Sequence, residues 1–244
     1  MLSRLLMAAL VVVLLAAPVW AQKQQQVEYG AEGHAPAMSF LGPTGLIITP
    51  NADVIGANRW AVGYHYIGED VAWTNIGGPW HSGTINFNLP KANIGIGNAI
   101  EVGATGYLVD FPWDDSESKA IVNAKWRFLN DQKNQLRLAV GVMDIFDQVG
   151  INWYVAATKG FGTNRTIADL TVGYMFGDDD SLLENSVFAS VNWHALRCLD
   201  VMGEVTDNDF NYGLRYWPWK SVNVDVAILD GGNFGAGIAY TGKF

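Results

Sequence analysis

A single cysteine, Cys198, stands in 244 residues, which excludes a disulfide-stapled scaffold. Charge is scarce: Asp, Glu, Lys and Arg make up 16% of the chain, against about 25% in soluble domains. Positive charge is the scarcer sign. With 15 Lys and Arg against 24 Asp and Glu, the formal net charge is −9. That argues against nucleic acid as a partner and leaves no basic footprint for anionic membrane surfaces. Long apolar runs are missing outside the first 21 residues, so a bundle of membrane helices is excluded. What is plentiful is glycine (27) and aromatics (10 Trp, 9 Tyr and 11 Phe). Disordered chains are poor in aromatics and rich in charge, so this one folds.

Residues 1–21 read as a secretory signal peptide. Arg4 precedes the apolar run Leu5 to Ala17, Pro18 ends it, and Ala21 offers a small residue at the cut. The run is too short for the ~20 residues of a membrane span. No cysteine follows the cut, which excludes a lipoprotein. An exported chain without paired cysteines fits a Gram-negative envelope.

From residue 59 onward the sequence alternates apolar and other residues with period two, the signature of strands. The clearest segment places Ala120, Val122, Ala124, Trp126 and Phe128 on one face, with Lys119, Asn123, Lys125 and Arg127 on the other. Similar rows start with Trp60, Val62, Tyr64 and Tyr66. They continue through Ile85, Phe87 and Leu89 (extending past Pro90 to Ile94 and Ile96) and end with Phe234, Ala236, Ile238, Tyr240, Gly242 and Phe244. Twelve such segments fit between residues 59 and 244.

Alternation alone suits a soluble sandwich, with the apolar face inward, or a membrane barrel, with it outward. Three features favour the barrel. Short connections (97–98, 130–133, 160–165, 196–197, 218–220) alternate with longer, acidic ones (68–83, 110–118, 144–150, 177–186, 206–209, 230–233), as in outer-membrane proteins. Aromatics such as Trp60, Trp126, Trp153, Phe176, Trp193, Phe210 and Tyr240 gather near segment ends, as interfacial girdles do. Finally, the chain closes on the alternating segment ending in Phe244, which resembles the C-terminal strand that barrel-insertion machinery recognises. In hydrocarbon no edge strand can leave backbone groups unpaired, so the sheet must close. The expected fold class is all-β: a transmembrane antiparallel up-and-down β-barrel of about twelve strands over residues 59–244. Its partners would be outer-membrane lipid and lipopolysaccharide.

The faces opposite the apolar rows carry Lys119, Lys125, Arg127 and Arg137 in one group. Asp169, Asp200, Glu204, Arg215 and Asp225 form another. These nine are the lumen-lining candidates. Opposite signs across a lumen orient polar solutes in a pore; the same charges can equally pack as salt bridges that close it. Inward glycines, among them Gly63, Gly141, Gly173, Gly235 and Gly237, leave space or admit a plug.

Residues 22–58 precede the barrel as a periplasmic tail or plug-like segment. They open with the Gln-rich stretch 22–26 and later contain Leu41-Gly42-Pro43-Thr44-Gly45-Leu46-Ile47-Ile48-Thr49-Pro50-Asn51-Ala52-Asp53-Val54. Gly42 and Gly45 permit a tight turn, and Pro50 stops strand pairing. This Gly-x-x-Gly-Leu-Ile-x-Thr-Pro-x-Ala pattern resembles the N-terminal motif of the YjbH-like family of outer-membrane proteins. The resemblance implies a barrel and a role in exopolysaccharide secretion.

Catalytic and metal chemistry is thinly supported. His34, His65, His81 and His194 have no neighbours at metal-ligand spacing, so neither a metal nor a cofactor is expected. Ser190 and His194 lie on one face of a single segment, about 13 Å apart at ~3.3 Å per residue, too far to bond. The acidic run Asp178 to Asp180 reads as a solvated loop, with a divalent cation as the sharper alternative. Three functions stay open: porin-like or secretion-linked passage of a polar solute or polysaccharide, a closed interaction barrel, and, with least support, a lipid-modifying envelope enzyme.

Overall fold

The computed structural model describes residues 34–74, 80–162, 166–177, 185–206 and 209–244. The expected signal peptide, the Gln-rich stretch and the acidic residues Asp178 to Asp180 and Glu184 lie outside the described residues.

Twelve strands follow one another around a closed antiparallel barrel, each bonded to its sequence neighbours, with the last returning to the first. They are β1 (Arg59–Thr74), β2 (Trp80–Ile96), β3 (Ile100–Asp110), β4 (Glu117–Asp131), β5 (Leu136–Met143) and β6 (Asn152–Phe161). The second half comprises β7 (Ala168–Gly177), β8 (Ser186–Leu196), β9 (Leu199–Thr206), β10 (Asp209–Trp219), β11 (Val222–Leu229) and β12 (Asn233–Lys243). Closure runs along β1 and β12, in register from Arg59 opposite Lys243 to Gly68 opposite Phe234. Every strand therefore has two partners and the sheet has no edge, the one sheet geometry that hydrocarbon tolerates.

Burial is inverted relative to a soluble protein. Val62, Val155, Leu170, Val172, Val191, Leu214 and Ile238 are exposed on the outside, while Lys125, Arg137, Glu204 and Asp225 are almost wholly buried inside. Leaving this much apolar surface in water is unfavourable, and burying charge at the centre of a soluble core is rarer still. Acyl chains on the outside make the first favourable, and they leave the interior, where the charges are paired, as the place in which charge avoids lipid. Aromatic pairs reinforce strand ends on the lipid face: Trp60 with Tyr240 at 5.4 Å between ring centres, Trp126 with Phe128 at 5.7 Å, and Tyr174 with Phe176 at 4.6 Å.

Two local expectations are corrected. The long connection expected over 68–83 is mostly ladder: β1 runs to Thr74 and β2 starts at Trp80, with Glu69 opposite Ile85 and Thr74 opposite Trp80. These residues do not alternate in hydropathy, because this hairpin outruns the ~9–11 residues that lipid covers; it is held by backbone pairing and by the Thr84 hydroxyl, which donates to Asp70 at 2.8 Å. In β2, Leu89 points inward and is fully buried, sharing its face with Lys91 and Asn93, while Ile94 and Ile96 face out. The strand continues through Pro90 without a change of phase, so Phe87 and Leu89 belong to the interior row.

Residues 34–58 do not hang below the barrel. They fold into it, and Met38, Phe40, Leu46, Ile47, Ala52 and Ile55 are buried in the lumen. The segment turns back on itself through isolated bridges Met38–Thr44 and Gly45–Pro50 and leaves at Asn58, whose carbonyl accepts the N–H of Phe244 at 3.0 Å. It enters and exits at the same end, the one carrying the short turns.

Candidate functional site: a charged lumen filled by the N-terminal segment

An irregular chain inside a membrane barrel carries backbone N–H and C=O groups with no ladder to satisfy them, and each left unpaired costs ~1–3 kcal/mol. The wall charges meet this demand. Glu204, on β9, accepts the N–H groups of Ile47, Ile48 and Thr49 at 3.2, 2.9 and 3.2 Å, and the Thr49 hydroxyl at 2.8 Å. On β3, Glu101 accepts from the N–H groups of Thr44 and Ile55, at 2.8 and 2.9 Å. From β4, Lys125 donates to the Thr44 carbonyl and hydroxyl at 2.6 Å each and to the Asp53 carbonyl at 2.9 Å. Lys91, on β2, donates to the carbonyls of Ser39, at 2.9 Å, and Phe40. Arg215, on β10, holds the carbonyls of Gly45 and Leu46 at 3.1 and 3.0 Å.

A second set of charges links wall to plug through side chains. Arg137 forks onto both oxygens of the plug's Asp53, at 2.8 and 3.0 Å, and also bonds Asp169. His194 bridges Asp169, at 3.1 Å, and Asp200, at 2.7 Å. Across the lumen Asp225 takes Arg215 Nε at 2.8 Å and faces His65 at 3.3 Å. Arg127 Nη1 lies 3.8 Å from Asp53. The cations Lys91, Lys125, Arg127 and Arg137 thus occupy β2, β4 and β5, and the acids Asp169, Asp200, Glu204 and Asp225 occupy β7, β9 and β11. Glu101 and Arg215 are each placed among the opposite sign.

Toward the long-loop end the lumen is filled by apolar side chains. Leu41 and Ala52 of the plug pack with Leu89, Tyr107, Ile121, Met143, Tyr154 and Phe188 of the wall. Glycines make room: a Cβ on Gly141 would strike the Tyr154 ring, one on Gly173 the Phe188 ring, and one on Gly235 the plug's Phe40. Gly42 has φ of 124° and sits against Thr105 and Asn123, so any side chain there is refused by backbone and space together. At the turn end a cavity of about 50 Å³ remains among His34, Asp169, His194, Asp200 and Trp217.

Eight of the nine expected lumen residues, Lys125, Arg127, Arg137, Asp169, Asp200, Glu204, Arg215 and Asp225, are buried inside the barrel. Lys119 is not. It shares their phase on β4, but its side chain is 42% exposed beside Glu117, because β4 extends past the mouth and the lumen ends below it. Among the charged and histidine side chains of the wall, Glu101, His65 and Lys91 escaped the sequence reading, and His194 was placed on the polar face of its strand without a role. Glu101 and His65 lie in the inward phase of their strands and were findable by parity. Lys91 was hidden by the phase error across Pro90. Asp53 belongs to a segment without periodicity, which hides its role. Among the described residues Ser190 Oγ has no hydrogen-bond partner and His194 is held by two carboxylates, so the two are not paired as nucleophile and base. Among the described residues no cluster of three or more His, Cys, Asp or Glu is arranged to hold a metal ion.

No protein-family profile matches the chain, and no curated protein sequence matches it. Solved structures match it in shape. A KdgM porin superposes with a TM-score of 0.50 at 10% identity, covering 74% of this chain and 98% of that one. The same porin in complex with disordered oligogalacturonate gives a TM-score of 0.48 at 10% identity, with the same coverage. An engineered Rh. blastica porin gives 0.35 at 10% identity, over 75% of this chain and 100% of that one. The fold is that of an outer-membrane porin-type β-barrel. At such low identity the likeness is one of fold, and the plug and its charge partners stand on this chain's own geometry.

Proposed function

We propose that this porin-type barrel passes a polar solute or polysaccharide across the outer membrane when the segment 34–58 moves, and is closed while that segment is seated. The observation that carries the reading is the division of the lumen wall into a cationic arc on β2–β5 and an acidic arc on β7–β11, bridged by a polar plug. Charges opposed across a lumen give a transverse field that orients polar solutes. An inert barrel needs no such division, since apolar side chains of equal volume are often at least as stabilising as buried ion pairs. The porin fold supports the same reading. The stretch resembling the YjbH-like family forms the plug itself, which makes an extracellular polysaccharide the first solute to test.

Planar-bilayer recording tests this. The intact chain is expected to be silent or to open briefly, and deletion of residues 34–55 to give a steady conductance. Silence of the deletion variant, with the barrel still folded by its heat-dependent gel mobility, overturns passage. That result would favour the second reading, a closed interaction barrel. The observation behind the second reading is the apolar packing of Tyr107, Tyr154 and Phe188 under the long-loop end.

A further inference from the structure

Charged wall residues meet the backbone groups of the plug almost atom for atom. Toward the long-loop end that matching fails. Tyr107 on β3 and Tyr154 on β6 are 4% and 1% exposed, and among the described residues neither hydroxyl has a hydrogen-bond partner. A buried tyrosine O–H normally has one. Asn123 Nδ2, Asn152 Oδ1 and Asp144 Oδ1 are in the same position, and these three side chains are buried too.

The five stand on adjacent parts of the wall. Tyr107, Asn123, Asn152 and Tyr154 occupy the lumen-facing phase of β3, β4 and β6, and Asp144 follows the end of β5. The Asp144 N–H donates to Asn123 Oδ1 at 3.3 Å, and Asn152 lies opposite Met143. The second oxygen of Asp144 accepts the N–H groups of Val149 and Gly150, at 2.5 and 3.2 Å, which fixes its carboxylate. What faces these groups is the apolar part of the plug. Leu41 and Ala52 pack in one cluster with Tyr107 and Tyr154, and Gly42 sits against Asn123 Nδ2. The plug fills the volume of this chamber and leaves its polar groups unanswered. Aromatic walls with a few fixed polar atoms are the lining of a ligand site.

We propose that this chamber is a subsite for one neutral hexopyranose unit of the passing solute, taken up when Leu41 and Ala52 withdraw. The inference rests on the proposed departure of segment 34–58. A pyranose ring lays its C–H face on an aromatic ring. Its hydroxyls donate and accept, so they answer the two tyrosine hydroxyls, the Asn123 N–H and the oxygens of Asn152 and Asp144 together. Asp144 sets the charge class: a uronate would meet a buried carboxylate of its own sign.

The test is a saturation-transfer NMR titration of the detergent-solubilised full chain with maltohexaose and cellotetraose, and with hexagalacturonate as the acidic counterpart. At least one neutral oligomer should bind, and more tightly than hexagalacturonate. Tyr107→Phe/Tyr154→Phe removes only the two unpartnered hydroxyls. It should keep or raise the urea midpoint of the folded gel band and weaken the neutral oligomer by about tenfold, the effect of two hydrogen bonds. Tyr212→Phe, on the lipid face, should leave the affinity unchanged. Binding of neither neutral oligomer, tighter binding of hexagalacturonate, or equal affinity in wild type and double variant overturns the subsite. If the double variant does not fold, Tyr107→Phe alone decides by the same comparison. Binding and passage are read apart. An oligomer bound by a chain that carries no current supports the subsite and contradicts passage, while a current that neither neutral oligomer blocks contradicts the subsite alone.

Discussion

Single side chains carry the plug, and they do so unequally. Glu204 is the acceptor for consecutive N–H groups of Ile47, Ile48 and Thr49. Glu204→Ala leaves those donors buried and unpaired, at ~1–3 kcal/mol for each. The plug should loosen while the barrel persists, seen as faster amide exchange over residues 44–50 with unchanged strand protection. Arg137 behaves differently, because it stands between two acids. Arg137→Leu takes the fork from Asp53 and leaves Asp169 with His194 as its remaining partner, and should destabilise by ~3–5 kcal/mol. Adding Asp53→Asn should restore part of the loss, since the buried carboxylate that lost its fork is removed. A double-mutant cycle on the urea midpoint of the folded gel band reads the coupling. Independence of the two substitutions would mean the fork does not hold the plug.

At the scale of elements, the strands were legible in the sequence, and the plug only as one of two alternatives, a tail or a plug. Each barrel strand has one face in lipid and one in a polar lumen, so period-two alternation is imposed at nearly every position, and rows such as Ala120 to Phe128 declare it. The alternation fails where lipid no longer touches the strand, as in the upper β1–β2 hairpin. It misleads where the interior is itself apolar: Phe87 and Leu89 resemble lipid-facing residues because they pack against the fill of the long-loop half. The plug has no period at all. Its turns were readable from Gly42, Gly45 and Pro50, but its location depends on Glu101, Lys125, Glu204 and Arg215, which come from β3, β4, β9 and β10. Such contacts between residues tens to more than a hundred positions apart leave no local trace. Element β12 yields its own prediction. It pairs with β1 over the whole closure, and its end is tied down by the Phe244 N–H to Asn58. Removing Phe244 together with Lys243 should slow barrel assembly in lipid vesicles, measured as the rate at which the heat-modifiable band appears. An unchanged rate would remove the chain end from that role.

For the whole molecule, the charge and apolarity that read ambiguously in composition resolve into an order in space: acyl chains outside, ion pairs inside, and exposed acids such as Asp110, Asp114 and Asp115 at the long-loop end. The lumen is a folded interior made of polar bonds, with the chain's own N-terminal segment as its filler. Its capacity to pass a solute therefore depends on whether that filler can leave. Ala52 and Thr158 are neighbours across the plug–wall boundary, with the Ala52 N–H donating to the Thr158 hydroxyl at 2.9 Å. The variant Ala52→Cys/Thr158→Cys, made with Cys198→Ser to remove the native thiol, ties the plug to β6 under oxidation. Single-channel recording of this variant should show no openings when oxidised and openings restored on adding a reductant. Equal conductance in the two states would contradict a plug that gates the barrel.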